Sequence, residues 1–95
     1  MPYNPVDVVT KDTDGVAIAG PVRFCGAVLS STGNNAVDCT IKENGTGGRI
    51  LGRARSQDGS AIAFGPPQTM DILVNGIYVD VTGTGPQVDV YYKIA

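Results

Sequence analysis

Residues with chemically reactive side chains are few and scattered in this chain of 95 residues. Histidine is absent, which removes the commonest general base and metal ligand and every Ser-His or Cys-His pair. The segment KDTDG at 11–15 begins like a calcium loop, but that loop needs further oxygen ligands and a glutamate six residues after its glycine. The stretch after the glycine is VAIAGP, so we predict an Asp-rich turn and no metal site.

Two further patterns fail as catalytic or cofactor sites. The glycine-rich segments NGTGGR at 44–49 and TGTGP at 82–86 lack the lysine and the following helix of a phosphate-binding loop. Paired carboxylates can hydrolyse glycosides when a cleft holds them at a fixed separation, and no cleft is predicted for the outward aspartates Asp38, Asp71, Asp80 and Asp89. We therefore predict hairpin turns, solubilising charges, no catalytic residue, no cofactor and no enzymatic activity.

The two cysteines, Cys25 and Cys39, flank the polar loop SSTGNN at 30–35. Partners across a hairpin share a face of the sheet. The apolar alternation predicts a buried face formed by Val22, Phe24, Val28, Val37 and Ile41. Cys39 lies on this face and Cys25 on the opposite one. Two reduced thiols are predicted, which fits a reducing compartment.

A basic stripe and several tyrosines are candidate contact residues. Arg49, Arg53 and Arg55 are predicted on one face of a strand with Leu51 between them. This face is either exposed to solvent or binds an acidic protein surface. In the second case the aliphatic parts of the arginine side chains pack against the partner. Tyr91 and its neighbour Tyr92 are predicted on opposite faces, one in the core and one at the surface.

The elements that carry these residues are predicted to be strands. LVNGIYVDVTGTGPQVDVYY at 73–92 alternates apolar and polar residues, and its Asn75-Gly76 dipeptide is the strongest short hairpin signal. Thirteen glycines and six prolines punctuate the rest. About eight strands at spacings of roughly 8–12 residues predict an all-β fold, a small antiparallel β-sandwich with jelly-roll or immunoglobulin-like strand order.

The predicted domain organisation is a single β-sandwich at residues 11–95 preceded by an extended N-terminal arm and first strand at residues 1–10. Pro2 and Pro5 remove backbone donors and keep their predecessors extended, and the first strand is expected at Val6 to Lys11. The formal net charge of −2 favours neither a nucleic-acid nor a membrane partner. No apolar run approaches the roughly 18–20 residues of a membrane span, and the N-terminus lacks the features of a secretory signal, so synthesis in the cytoplasm is expected.

Three segments together resemble small virion proteins of tailed bacteriophages. They are AVDCTIKENGTGGRILGRARS, SAIAFGPP and MDILVNGIYVDVTGTGPQVDVYY, and the resemblance covers residues 36–92. It implies a capsid decoration or cement protein, or another accessory head protein, on the capsid surface of the virion. The implied partners are the major capsid protein and further copies of the chain, expected as a trimer. The contact residues expected on this basis are Pro2, Tyr3, Pro5 and Val6 of the arm and Arg49, Arg53 and Arg55.

An alternative function is a carbohydrate- or receptor-binding β-module on a phage fibre or tail. Such a module needs exposed aromatic side chains on which a sugar can stack, and Tyr91 or Tyr92 are the candidates. The absence of tryptophan argues against this alternative.

Overall fold

The computed structural model describes residues 6–33, 35–57, 60–66 and 71–95. These residues form seven β-strands and no helix: β1 (Asp7–Lys11), β2 (Gly15–Ser31), β3 (Val37–Glu43), β4 (Ile50–Ser56), β5 (Ile62–Phe64), β6 (Ile72–Gly83) and β7 (Pro86–Ile94). All strand pairings are antiparallel. The prediction of an all-β, antiparallel fold is therefore confirmed.

The strands belong to one sheet with the order β1-β7-β2-β6-β3-β4, and β5 pairs with β2 beside that path. β1 and β4 thus lie at the two ends of the sheet. The hairpin expected between β2 and β3 is not formed, because β6 lies between these two strands. The pairing of β6 with both β2 and β3, which are distant from it in sequence, therefore determines the strand order.

The long strand β2 joins the two halves of the sheet. Its first part pairs with β6, its second part pairs with β7 and β5, and residues Val22–Phe24 have partners on both sides. On the inner face, β4 reaches β5, because a Cβ placed on Gly52 would lie only 3.2 Å from the Phe64 ring. The sheet is therefore folded over its apolar face.

The inner face of the folded sheet holds a single hydrophobic core. Residues from β2, β3, β6 and β7 contribute side chains that are at most 3% exposed, namely Val22, Phe24, Ala27, Leu29, Val37, Cys39, Ile41, Val74, Ile77, Val79, Val88 and Val90. Each large apolar side chain buried in this way stabilises the fold by about 1.5–3 kcal/mol. The outer face carries charged and polar residues together with exposed apolar side chains such as Val8, Ile50 and Leu73.

Asn75-Gly76 is not a hairpin turn, so this prediction is wrong. β6 runs through both residues, and Ala19 and Gly20 of β2 lie opposite the single residue Gly76 as a β-bulge. A two-residue hairpin turn of this type needs positive φ at both central residues, and only Gly76 has it, with φ +98°. Val74 and Ile77, three residues apart and on either side of this irregularity, are both buried in the core. Ala19, Gly20 and Pro21 do not interrupt the strand, because β2 continues through the bulge.

A further bulge in β2, at Cys25, changes the face of the residues that follow it. Phe24 pairs with Tyr92 and Gly26 pairs with Tyr91, so Cys25 is the extra residue. After this shift Ala27 and Leu29 point into the core, and Val28, which was predicted on the core face, lies on the outer one. The extra residue therefore moves the buried positions from the even-numbered residues Val22 and Phe24 to the odd-numbered residues Ala27 and Leu29.

Candidate protein-interaction surfaces

The predicted basic stripe is split by a bulge in β4. Ile41 pairs with Gly52 and Lys42 pairs with Ile50, so Leu51 is an extra residue. Beyond it, Arg53 pairs with Thr40 and Arg55 with Asp38, and these partners share the outer face with Lys42. The face of Arg53 and Arg55 is therefore continued by Ile50. The prediction that Arg49 shares this face is wrong, because the bulge reverses the alternation.

We call Ile50, Arg53 and Arg55 the β4 basic face. All three side chains are exposed. Arg55 Nε lies 3.8 Å from Asp38 Oδ1, and the two side chains are 61% and 53% exposed, so this pair contributes at most about 1 kcal/mol. Arg53 has no ion pair with any described residue. The surface thus presents two solvated guanidinium groups next to an aliphatic side chain that is 47% exposed.

Arg49 instead belongs to a polar cluster at the turn between β3 and β4. Its Nε donates to Glu43 Oε1 at 2.9 Å, and the backbone amide of Asn75 donates to Glu43 Oε2 at 2.9 Å. These bonds, the one from the Asn75 amide first, hold the pKa of the Glu43 carboxyl below its ordinary value. The backbone amide of Asn44 also donates to the backbone carbonyl of Gly76 at 3.1 Å.

This cluster fastens the β3–β4 turn to the segment of β6 that lies opposite the β2 bulge. Glu43 is its central residue, because one carboxylate accepts from both Arg49 and the β6 backbone. Sequence reasoning missed that role, although Glu43 and Arg49 flank the glycine-rich turn at a spacing that a hairpin brings together. Arg49 therefore has a structural partner within the chain, whereas Arg53 has no ion pair among the described residues.

The outward aspartates are partnered on the sheet surface. Asp71 lies 3.1 Å from Arg23 and 3.7 Å from Lys93, and Asp80 lies 3.6 Å from Lys42. Asp89 accepts a hydrogen bond from the hydroxyl of Thr10 at 2.7 Å. A further carboxylate, Asp14 of the KDTDG turn, accepts from the backbone amide of Val81 at 2.7 Å. These groups therefore order neighbouring strands on the outer face.

The opposite edge of the sheet is the strand β1, Asp7–Lys11, which we call the β1 edge. It pairs with β7 from Asp7–Tyr92 to Lys11–Val88 without a register shift. Residues 7–10 of the predicted arm are therefore part of the sheet, and Val6 and Val8 are 49% and 53% exposed. The other arm residues predicted to make contacts, Pro2, Tyr3 and Pro5, lie outside the described residues.

Both cysteines are free, as predicted. Burial raises the pKa of the Cys39 thiol to about 12, with added contributions from Asp80 and Asp14. Burial also raises the pKa of Cys25, which lies on the outer face in a shallow depression with Val28, Ala63, Pro66 and Tyr91. These pKa values keep both thiols protonated near neutral pH, where a thiol is a poor nucleophile.

The two adjacent tyrosines divide between the faces as predicted. Tyr92 packs against the core, and Tyr91 lies on the outer face. Their rings therefore do not form one platform for a ligand.

Among the described residues, no group of three or more cysteine, aspartate or glutamate side chains is placed to hold a metal ion. The same part of the chain contains no helix that could span a membrane. No protein-family model, no curated protein and no solved structure matches the chain. The resemblance to virion proteins stays a prediction.

Proposed function

We propose that this chain is a structural protein of a tailed-phage particle that binds the outer surface of the capsid as a decoration or cement protein. It would stabilise the particle by adding non-covalent contacts to the major capsid protein. In this proposal the protein is made in the host cytoplasm and resides on the capsid surface. The trimer implied by the resemblance stays a prediction, and the β1 edge considered below offers a different stoichiometry.

The observation that carries the proposal is the composition of the β4 basic face. Arg53 has no ion pair among the described residues, and it lies beside Arg55 and the exposed Ile50 on a terminal strand of a sheet whose core is on the other side. Guanidinium groups bind carboxylates through two parallel hydrogen bonds, and such pairs are strong where water is excluded. An acidic protein surface with an apolar centre fits this face.

A stiff scaffold supports this kind of contact. We propose that the folded sheet acts as a sandwich of two layers, β2-β6-β3-β4 and β5-β2-β7-β1, which share β2. Strands that already hold their side chains in place lose little conformational freedom on binding. The N-terminal residues Pro2, Tyr3, Pro5 and Val6 are the second proposed contact with the capsid.

Co-sedimentation with purified particles of the phage that encodes the chain tests the proposal. We expect the chain to pellet with particles at a fixed number of copies per capsid, and the bound fraction to fall as salt is raised because the contact is partly ionic. Particles of an unrelated phage are the control. A chain that stays in the supernatant at low salt, or that pellets equally with both particles, would contradict the proposal.

A further inference from the structure

The β1 edge is open to pairing with another strand. Among the described strands β1 pairs only with β7, and an edge strand leaves alternate backbone amides and carbonyls pointing away from its sheet. Proteins commonly block such edges with prolines, bulges or charges in the middle of the strand. The middle of β1 is Val8, Val9 and Thr10, which carry no charge, and its register with β7 is continuous.

The charged residues of β1 lie at its two ends, Asp7 and Lys11, each two positions from Val9. If two identical strands pair antiparallel about Val9, Asp7 of each copy lies opposite Lys11 of the other. Opposite charges directly across an antiparallel pair are stabilising, and like charges are destabilising. Neither Asp7 nor Lys11 forms an ion pair with a described residue of its own chain.

We propose that the β1 edge binds a second copy of this chain, which adds its own β1 antiparallel in the register Asp7–Lys11, Val8–Thr10 and Val9–Val9. This register keeps the faces of the two sheets aligned. Val8 and Thr10 both lie on the outer face, opposite Tyr91 and Asp89, and Val9 lies on the inner face opposite Val90. The twofold axis is then perpendicular to the sheet, and inner and outer faces continue from one copy to the next.

The pairing closes at two chains. The same five residues form both sides of a twofold contact, so neither copy keeps a free β1 edge. A dimer is therefore inferred in place of the trimer that the resemblance implies. The inference does not rest on the proposed function, because it uses only the residues of β1.

The other end of the sheet does not offer this contact. An antiparallel pair of β4 strands centred on Arg53 places that residue opposite its own copy, and a pair centred on Ala54 places Arg53 opposite Arg55. Both registers bring guanidinium groups together, and like charges directly opposite are destabilising. A second copy of the chain thus fits β1 and is repelled by β4.

Sedimentation equilibrium of the full chain and its charge variants tests the register. One pair of five-residue strands buries less surface than a stable complex needs, so we expect a dissociation constant on the order of 100 µM for the unmodified chain. Asp7→Lys and Lys11→Asp each place like charges at both ends of the contact, and each should raise that constant about tenfold or more. An equimolar mixture of the two variants restores opposite charges at both ends, so the mixture should dimerise as well as the unmodified chain.

Asp12→Lys is the matched control, because it changes the net charge as Asp7→Lys does but lies outside β1. It should leave the dimer intact, and thermal unfolding should show that every variant is folded. The proposal is overturned if the unmodified chain is monomeric at about 1 mM, if Asp12→Lys weakens the dimer as much as Asp7→Lys, or if the mixture stays monomeric. A monomeric chain in which Asp7→Lys weakens particle binding would assign the β1 edge to the capsid instead.

Discussion

The two terminal strands of the sheet, β1 and β4, have the same backbone chemistry and opposite side-chain patterns. β1 carries one charge of each sign at its ends and uncharged residues between them, whereas β4 carries two arginines near its centre. The first pattern is complementary to itself, and the second repels itself and attracts carboxylates. The position of charges along an edge strand, rather than the number of charges, therefore determines which partner the edge can accept.

Both edges depend on one core, so the largest expected effect comes from breaking it. Phe24 is fully buried in the part of β2 that has partners on both sides. Phe24→Ala should destabilise the fold by about 3–5 kcal/mol, a large part of the roughly 5–15 kcal/mol typical of a domain. Urea denaturation measures it, and both edge interactions should be lost together. Leu73→Ala, at an exposed position of β6, is the control, and an equal loss of stability there would contradict the assignment of the inner face.

Thiol labelling compares the two halves of the sheet directly, since Cys39 lies in β3 beside β4 and Cys25 lies in the part of β2 beside β7. Because burial raises the pKa of Cys39 to about 12, its thiolate is scarce at pH 8. Cys39 should therefore react more slowly than Cys25, because Cys39 is buried whereas Cys25 is only partly buried. The rates are measured by mass spectrometry on Cys25→Ser and Cys39→Ala, which leave one thiol each. Equal rates would contradict this prediction, because they would show that the reagent reaches Cys39 in β3 as readily as it reaches Cys25 on the outer face.

The role of the β4 basic face in particle binding is tested by replacing its arginines with glutamine, which removes the charge and keeps a polar side chain. Arg53→Gln combined with Arg55→Gln should weaken binding to particles about tenfold or more, since hydrogen bonds to charged groups contribute roughly 1.5–3 kcal/mol each. Self-association should not change. Arg49→Gln removes a guanidinium from the opposite face and is the matched control in the same binding measurement. If Arg49→Gln weakens binding as strongly as the double variant, the split of the basic stripe has no functional meaning.

The smallest expected effect concerns the cluster that fastens the β3–β4 turn. Because the pKa of Glu43 is lower in the folded chain than its ordinary value, its contribution to stability is fully present above the ordinary carboxyl value. That contribution is lost as the pH falls through the lowered value. Glu43→Gln should therefore lower the urea midpoint at pH 7, and the difference from the unmodified chain should shrink at the acid end. Asp12→Asn, at an exposed turn position, should show no such trend.

The strands with uninterrupted alternation were predictable from sequence. Val37, Cys39 and Ile41 lie on the buried face of β3 as expected, and the glycine-rich segment after Glu43 forms a turn. Such strands need only a period of two and a buried side. The division of Tyr91 and Tyr92 between the faces follows from the same rule.

One error, the hairpin expected between β2 and β3, arises because β6 lies between these strands, and the others arise at positions where an extra residue enters a strand. Val28 and Arg49 were assigned to the wrong face because a bulge shifts every later side chain to the other face. Asn75-Gly76 was predicted as a turn but lies within β6, opposite a bulge in β2. A glycine with positive φ serves a tight turn and a bulge equally well, so local sequence does not distinguish them. The distinction comes from which strands pair across the sheet, and that depends on the whole core.

The most direct test of the account measures both interactions on one set of chains, by sedimentation with and without particles. The set comprises the unmodified chain, Asp7→Lys, and Arg53→Gln combined with Arg55→Gln. We expect Asp7→Lys to lose the dimer and still bind the particle, and the arginine variant to keep the dimer and no longer bind the particle. If either variant abolishes both interactions while remaining folded, the two edges do not have separate partners and the account is contradicted.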